Sequence, residues 1–352
     1  MIRALSPYYI DTNLVYGGVT CEEFTLTINI WDGSKASVDT TNQYKITYKN
    51  TTASTGSHKI NISSMIQDYV EFNVPTTFFT VAGTIIKMGN NQAWVETSVS
   101  YDDGAGAGST SVDLMTLGYS YGDQGENYDV VTDDFLLPVM DYKINRDGVF
   151  IIPFLADEVT DNDITISMDG GAVSFTSTVL ATTDSSEIWI DMRSDFLTAN
   201  QYVSVTWKGT TIDLDIYEEA RYTPMDIIFQ NKDGGLQNFT FFKDRKEETS
   251  VTDSIYESNR GQGSEGYHQF LRYNVQARNS VSASTGFIHE RENEVVQQLM
   301  YSRRTWIYDP EKSIYRAVIV KDTSKQFKTQ LTDRLINYTM KFEYGYNQIN
   351  NI

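Results

Sequence analysis

The sequence has few of the residues that build metal centres and disulfide frameworks. Its 352 residues include one cysteine, Cys21, and three isolated histidines, His58, His268 and His289. One cysteine excludes a disulfide framework, and so few thiol and imidazole ligands exclude a Cys/His zinc site. The chain also lacks an apolar run of about 18 residues, which would span a bilayer, and its first residues lack the apolar core of a signal peptide. We therefore expect a soluble chain with no membrane insertion and no cofactor.

Positive charge is also scarce. The chain has 47 acidic and 28 basic residues and a net charge of -19, which argues against a sequence-specific nucleic-acid binder because phosphate contact needs clustered Lys and Arg. The excess is uneven: residues 1–120 carry 11 acids and 6 bases, residues 121–220 carry 20 and 4, and residues 221–352 carry 16 and 18. Such asymmetry indicates separate surfaces that face different surroundings.

Alternating apolar residues predict a mainly β protein. Phe24, Leu26, Ile28 and Ile30 fall on one face of an extended chain, with polar residues between them, as in a half-buried strand. Short strand patterns separated by turn residues continue through the acidic part, which favours an immunoglobulin-like sandwich. We predict multidomain β-sandwiches in three parts: a β-sandwich with one short helix (1–130), an acidic immunoglobulin-like β-sandwich (131–220) and an α+β assembly domain (221–352).

Two segments have a helical period. In residues 60–72 the apolar residues follow helical spacing, and Ser64 and Gln67 have the spacing of a capping box. Residues 290–304 combine acids near the start with arginines near the end, as the helix dipole favours. The apolar face of this second, amphipathic helix consists of Val295, Val296, Leu299 and Met300.

The last third also contains a hairpin, a polar stretch and a long strand pattern. Residues 226–229 and 239–241 predict the hairpin, with a glycine-containing loop between them. Residues 243–266 have few apolar anchors, so we expect an ordered arm only if another element holds it. The alternation in residues 335–346 exceeds the common strand length of about 5–6 residues. Such a strand spans a large sheet or extends beyond its own domain.

The motifs do not predict an enzyme. Gly263-Ser264-Glu265-Gly266 lacks the strand–turn–helix context of a nucleophile elbow. Gly104–Gly108 is not followed by the Lys-Ser/Thr of a phosphate-binding loop, so we expect a flexible hairpin tip at these glycines. No group of residues supplies a nucleophile, a base and an oxyanion donor together. A glycosidase pair of carboxylates distant in sequence stays open as a third hypothesis.

Two binding chemistries have weak candidates. Asp157, Asp161 and Asp163 could bind calcium through carboxylate oxygens, but their segment lacks the Gly and the terminal Glu of an EF-hand loop, which favours a solvated acidic loop. Exposed aromatic side chains could stack sugars. Four tryptophans nevertheless lie within strand patterns and are expected in the core: Trp94, Trp189, Trp207 and Trp306.

Two groups of segments carry a family resemblance. The first comprises 5–10, 24–33 and 60–69; the second comprises 285–287, 298–302, 306–308, 317–320 and 337–342. The first group resembles the start of virion structural proteins in tailed phages that infect Bacteroidota, crAss-like phages among them. The second group is similar to the closing domain of tail, neck or baseplate proteins of such phages.

The resemblance implies a structural subunit of the virion, made in the host cytoplasm and assembled around the tail axis with copies of itself and other tail or neck proteins. Edge strands and arms suit such assembly because their unpaired backbone groups can pair with a neighbour, and ring closure requires a heterologous interface. We expect contacts from residues 243–266 and 335–346. The expected interface side chains are Ile336, Tyr338, Met340, Phe342, Tyr344, Arg303 and Arg304.

The acidic part has two interpretations. If it lines a lumen, its charge would repel passing DNA and prevent sticking. The alternative function is a receptor- or carbohydrate-binding tail protein, with the acidic sandwich as the recognition head and the carboxy-terminal domain as its dock.

Overall fold

The structure of the chain is a computed structural model. It describes residues 1–13, 15–16, 19–20, 23–32, 35–49, 57–70, 85–89, 92–101, 106–119, 127, 134–146, 148–155, 164–168, 171–175, 185–191, 202–258, 266, 268–309, 314–322 and 336–349. Strands make up most of these residues, in four large sheets and two two-stranded ribbons, so the mainly β class predicted from alternation is confirmed.

The elements follow the chain in this order. The strands up to residue 155 are β1 (Ile2–Arg3), β2 (Tyr9–Asn13), β3 (Val15–Tyr16), β4 (Val19–Thr20), β5 (Glu23–Trp31), β6 (Gln43–Lys49), β7 (Ser57–Asn61), β8 (Ile85–Gly89), β9 (Gln92–Tyr101), β10 (Gly106–Thr116), β11 (Asp134–Phe135), β12 (Asp141–Asn145) and β13 (Val149–Leu155). The later strands are β14 (Ile164–Met168), β15 (Gly171–Phe175), β16 (Ser185–Asp191), β17 (Tyr202–Trp207), β18 (Thr210–Tyr217), β19 (Met225–Gln230), β20 (Leu236–Phe241), β21 (Arg245–Glu257), β22 (Phe270–Ile288), β23 (Thr305–Asp309), β24 (Ile314–Val320) and β25 (Ile336–Tyr344). The helices are α1 (Ser63–Ile66) and α2 (Asn293–Tyr301), and a 3-10 turn (Glu290–Glu292) precedes α2.

Sheet 1 has the strand order β1-β10-β9-β5-β6. Phe24, Leu26 and Ile28 are buried as their alternation predicts. The glycine-rich hairpin tip predicted at Gly104–Gly108 is wrong from residue 106 onward, because β10 begins there and Gly106 pairs with Tyr101. A Cβ at Gly108 would lie 2.9 Å from the Tyr101 ring, so glycine permits a close strand contact. Residues 102–105 lie outside the described residues.

Helix α1 is shorter than the predicted helical segment, since it spans Ser63–Ile66 within residues 60–72. The predicted capping box of Ser64 and Gln67 is wrong: the helix begins after Ile62, which makes no side-chain cap. Asn61 supplies the acceptor instead. Its side-chain oxygen accepts hydrogen bonds from the Ser63 backbone N–H at 3.1 Å and from the Ser63 hydroxyl at 2.8 Å.

Sheets 2 and 3 contain the strands of the acidic part. Sheet 2 has the order β11-β13-β16-β8 and sheet 3 the order β12-β18-β17-β14-β15. They face each other through aromatic contacts, with the Trp207 ring 5.3 Å from that of Phe154 and 5.7 Å from that of Phe135. Lys208 and Gly209 have φ values of 45° and 87°, so a two-residue type I′ turn joins β17 to β18. The immunoglobulin-like assignment stays a prediction.

Strand β8 links the first predicted domain to the second. It lies before residue 130 but pairs with β16 at the edge of sheet 2. The predicted domain boundaries stay predictions, and this sheet crosses the first of them. Trp94 and Trp207 are buried and Trp306 is half-buried, whereas the side chain of Trp189 lies outside the described residues.

Sheet 4 is a seven-stranded antiparallel sheet with the order β20-β19-β23-β24-β25-β22-β21. The predicted hairpin is present as β19 and β20, and every residue of both strands is buried. Its core is continuous with that of sheets 2 and 3, and Phe241 and Phe342 meet edge to face in it at 5.5 Å. The middle and the carboxy-terminal parts of the chain therefore share one hydrophobic core.

Helix α2 covers part of this core with Val295, Val296 and Leu299, as the sequence predicts. The helix ends at Tyr301 rather than at Arg304, because Ser302 leaves the helical conformation with a ψ of 127°. No basic residue therefore lies in its last turn. Within the described part of the chain, no helix is long and apolar enough to cross a membrane.

The turn between β19 and β20, residues 231–235, joins the sheets. Arg3 of sheet 1 forms an ion pair of 2.5 Å with Asp233 in this turn. The Thr116 hydroxyl donates to the Asp233 carbonyl at 2.7 Å, and the Asn231 amide donates to the Leu136 carbonyl at 2.8 Å. A buried turn satisfies its polar groups only with such partners, so its position fixes sheet 1 against sheet 4.

Candidate functional site

The predicted interface strand lies in the middle of sheet 4. β25 pairs with β24 on one side and with β22 on the other, so it spans the seven-stranded sheet, which is one of the two alternatives that its length left open. The side chains of Ile336, Tyr338, Met340 and Phe342 are buried in the chain's own core. Tyr344 is partly buried against the same core. These apolar side chains could contact another subunit only if the hydrophobic core around them were opened.

The two predicted interface arginines follow α2. Arg303 is exposed, and Arg304 is partly buried. Burial lowers the pKa of the Arg304 guanidinium, and the nearby Arg303 adds to the effect. The backbone carbonyl of Arg304 accepts hydrogen bonds from the Gln230 N–H at 3.1 Å and the Ser302 hydroxyl at 2.8 Å. Their assignment to an interface stays a prediction.

The predicted calcium candidates cannot be placed in the fold. Asp157, Asp161 and Asp163 lie outside the described residues. Among the residues that are described, no three His, Cys, Asp or Glu side chains cluster as metal ligands would.

Of the polar stretch 243–266 that was predicted as an arm, Arg245–Glu257 form β21, one strand of a long hairpin, and residues 259–265 lie outside the described residues. β21 pairs with β22 from Arg245–Ala283 to Glu257–Phe270, and β22 is the strand that holds it. β25 pairs with the other side of β22 only from Ser280 onward, and Ala277 makes a last bridge to Ile349. Beyond this point, residues 251–258 and 268–276 form a two-stranded ribbon, here called the arm. Within the described residues, no third strand pairs with it.

The arm exposes apolar side chains on both faces. Ile255 is 64% exposed and Phe270 is 60% exposed, on the face that also carries the Asp253–Arg272 ion pair. The other face carries Leu271, with the Tyr256 and Tyr273 rings 5.5 Å apart in a T-shaped contact. An isolated hairpin is marginally stable in water, and contiguous exposed apolar side chains mark interaction surfaces. The arm therefore has the exposed apolar surface that is typical of a segment in contact with another molecule.

A bulge lies in the arm. The register of β21 and β22 shifts between Thr252 and Ser254, and Asn274 opposite the shift has a positive φ of 53°. Asn tolerates this left-handed conformation better than most residues, and a bulge increases local strand twist. The bulge thus increases the twist of the arm relative to sheet 4 next to Thr252 and Ser254.

Ion pairs between strands hold the base of the arm. Lys341 pairs with Glu248 at 2.6 Å, and Arg278 pairs with Glu343 at 2.6 Å. The pKa of Glu343 is lowered first by the hydrogen bond from Arg278 and then by Lys321. Exposed pairs of this kind each contribute little to stability, but they join β21, β22 and β25 without a net charge.

A cleft of about 520 Å³ lies between sheet 3 and the end of β22. Its floor is the polar face of β12, β17 and β18, and its opposite wall includes Phe242, Phe287 and the 3-10 turn. Arg291 of that turn forms an ion pair with Asp141 of β12. The Lys143 ammonium lies 3.5 Å from the centroid of the Tyr217 ring, a close cation–π contact.

Two ionisable groups in the cleft are shifted by desolvation. Burial raises the pKa of the Glu292 carboxyl, although the His289 N–H donates to it at 2.7 Å and opposes the shift. Desolvation lowers the pKa of the Lys143 ammonium, and Asp215 opposes that shift. Both shifts favour the neutral form, as expected where burial removes water from a charged group.

Replacing Glu292 with glutamine should remove a pH-dependent loss of stability. Because the folded pKa is raised, the stability that Glu292 contributes when protonated is present below the unfolded pKa and is lost as pH rises through the folded pKa. The wild-type protein should therefore lose stability relative to Glu292→Gln from pH 4.5, the ordinary pKa of glutamate, towards neutral pH. Urea unfolding of both proteins across this range tests the prediction. A difference that does not change with pH would contradict it, and exposed Glu290→Gln in the same turn is the control.

Sequence reasoning missed β22 and the cleft. The alternation of Ser280, Ser282 and Ser284 with Val281 and Ala283 was the available indication of β22, since small polar residues also alternate in strands. The cleft has no local sequence pattern because its walls come from separate segments. No protein-family model matches this sequence, and no curated protein matches it.

Proposed function

We propose that the chain is a structural subunit of a phage tail, neck or baseplate, and that it assembles into a ring with copies of itself through the arm. The observation that carries the proposal is the ribbon of β21 and β22 beyond the base of sheet 4, with apolar side chains on both faces. The resemblance of the terminal segments to phage virion proteins supports the same class of function. The edge of β21, the outer strand of sheet 4, offers the backbone groups for β-augmentation.

Charge favours a second copy as the partner at this place. Two chains with a net charge of -19 repel each other, so contact between copies is least opposed where the charge is balanced. Residues 221–352 carry 18 basic and 16 acidic residues, in contrast to the strongly acidic residues 121–220. Within the arm, Asp253 pairs with Arg272, which leaves few unpaired charges to desolvate.

The magnitudes predict assembly that depends on ring closure. Six apolar or aromatic side chains of the arm are exposed: Val251, Ile255, Tyr256, Phe270, Leu271 and Tyr273. Burying the exposed part of each contributes about 1 kcal/mol, or about 6 kcal/mol together. Association costs about 4–15 kcal/mol, so one arm gives a weak contact. A closed ring gives each subunit two contacts and a high effective concentration for the last one.

Shortening the arm should abolish self-assembly. Val251 pairs with Ala277, so replacing residues 252–276 with Asn-Gly closes the hairpin through a two-residue turn and leaves the rest of β21 and β22 intact. We expect the full chain to form oligomers in a concentration-dependent manner in analytical ultracentrifugation, and the shortened chain to stay monomeric with an unchanged circular dichroism spectrum. An unchanged oligomer mass after shortening would overturn the role of the arm. A full chain that stays monomeric up to its solubility limit would overturn self-assembly.

Point variants show whether assembly depends on the apolar side chains of the arm or only on the length of the hairpin. Ile255→Asp combined with Phe270→Asp should give the same monomer, because both exposed side chains lie on one face of the arm. Tyr44→Asp is the matched control, since Tyr44 is an exposed aromatic residue on the edge strand β6 of sheet 1. Its oligomer mass should equal that of the unchanged chain.

A further inference from the structure

The polar face of sheet 3 is ordered in rows. Lys143 of β12, Asp215 of β18 and Tyr202 of β17 lie side by side across three adjacent strands. Residues that pair across strands share a face and have Cβ atoms about 5 Å apart. In the next row Asp213 accepts a hydrogen bond from the Ser204 hydroxyl at 2.6 Å, so its position is fixed.

Two aromatic side chains with large exposed surfaces flank this face. Tyr202 is 56% exposed on the floor of the cleft, and Phe287 is 63% exposed on the opposite wall. Phe287 follows Gly286, which has a φ of 73°, and the pairing of β22 with β25 shifts register between Ser284 and Phe287. Large aromatic surfaces in water are costly, and here two of them line one concave space.

The lining also limits the chemistry of a ligand. The cleft has four carboxyl groups and only two lysine or arginine side chains, Lys143 and Arg291, so it disfavours an anion. Its carboxylates can accept further hydrogen bonds and its ammonium group can donate them, so a ligand with hydroxyl groups suits this lining better than a purely apolar ligand. A volume of about 520 Å³ is within the range of small-molecule sites, about 300–1,000 Å³.

We propose that this cleft binds a neutral carbohydrate. The apolar face of a sugar ring stacks on Tyr202, its hydroxyl groups donate to Asp215 and Asp213, and Lys143 donates to a ring or hydroxyl oxygen. Phe287 covers the opposite side of the sugar. One row of the sheet thus offers an aromatic ring, a hydrogen-bond donor and a hydrogen-bond acceptor. A sugar has the matching features, since it carries several hydroxyl groups and one apolar face. This site does not include the arm, so binding and assembly are independent properties.

Glycan binding by the full chain tests this assignment. Fluorescently labelled protein is applied to an array of neutral and acidic glycans, and the best-bound glycan is titrated by calorimetry. We expect saturable binding of neutral glycans and weaker binding of their uronic-acid and sialylated counterparts. Tyr202→Ala and Asp215→Asn should each raise the Kd about tenfold or more, which is about 1.4 kcal/mol. Tyr202→Phe should keep most of the affinity, because the ring remains.

The controls distinguish the cleft from other surfaces. Tyr44→Ala removes a tyrosine that is 46% exposed on sheet 1, outside the cleft, and should leave the Kd unchanged. Circular dichroism and the mass in solution of each cleft variant should equal those of the unchanged chain, which separates this proposal from the assembly role. Absence of saturable binding to any neutral glycan, or equal binding by Tyr202→Ala, would overturn the assignment.

Discussion

Phe342→Ala should lower the free energy of unfolding by about 3–5 kcal/mol, as expected when a fully buried phenylalanine is truncated. Phe342 has no exposed surface and lies in β25, where its ring contacts Phe241 at 5.5 Å. The loss combines the transfer free energy of the ring with the cavity that the surrounding strands cannot fill. Guanidinium unfolding followed by tryptophan fluorescence and circular dichroism measures it.

The matched control is Phe287→Ala, which removes the same atoms from an exposed position. It should change the free energy of unfolding by no more than about 0.5 kcal/mol. Because Phe342 belongs to the core shared by sheets 2, 3 and 4, both probes should report the loss at the same denaturant concentration. A loss below about 1 kcal/mol for Phe342→Ala would contradict the central position of β25.

Gly234→Ala should destabilise the protein by about 3 kcal/mol, the sum of backbone strain and overpacking. Gly234 has a φ of 87°, which costs a residue with a Cβ about 1–2 kcal/mol. Its Cβ would also lie 2.8 Å from the Thr116 Cβ and 2.9 Å from the Gly118 nitrogen. Neither neighbour can move freely, because Thr116 is in β10 and Gly118 follows it in the same tightly packed junction.

Gly209→Ala separates the two causes. Gly209 also has a φ of 87°, but nothing lies within 4 Å of a Cβ at this position. It should show the backbone strain alone, about 1–2 kcal/mol. Thermal and urea unfolding of both variants therefore gives the packing cost of the junction as a difference. Equal losses at the two glycines would mean that sheet 1 is not packed tightly on the β19–β20 turn.

Local sequence patterns predicted those strands that have one buried and one exposed face. Alternation in β5, β17 and β18 follows burial, and the Lys208-Gly209 turn has the conformation that its residue types favour. In β18 the partly exposed Asp213 and Asp215 alternate with buried Ile212, Leu214 and Ile216. These features depend on residues that are close in sequence, so they can be predicted from residue type and spacing.

The arm and the position of β25 could not be predicted in the same way. β21 is exposed along most of its length, so its sequence has no apolar alternation to distinguish it from a polar loop. β25 shows the predicted alternation, but alternation does not distinguish a central strand from an edge strand. The order of strands in sheet 4 depends on which distant segments pair, and no local pattern records it. The cleft was missed for the same reason.

The placement of β25 between β22 and β24 has a consequence for synthesis of the protein. Residues 225–320 supply six strands of sheet 4 before residues 336–344 are made. In the folded sheet β25 fills the space of roughly 10 Å between β22 and β24, so these two strands lack their shared partner until residues 336–344 leave the ribosome. Nascent chains with open edges pair readily with one another, particularly where many copies are translated together. Pairing of β25 with both strands thus removes two edges at which one copy could pair with another.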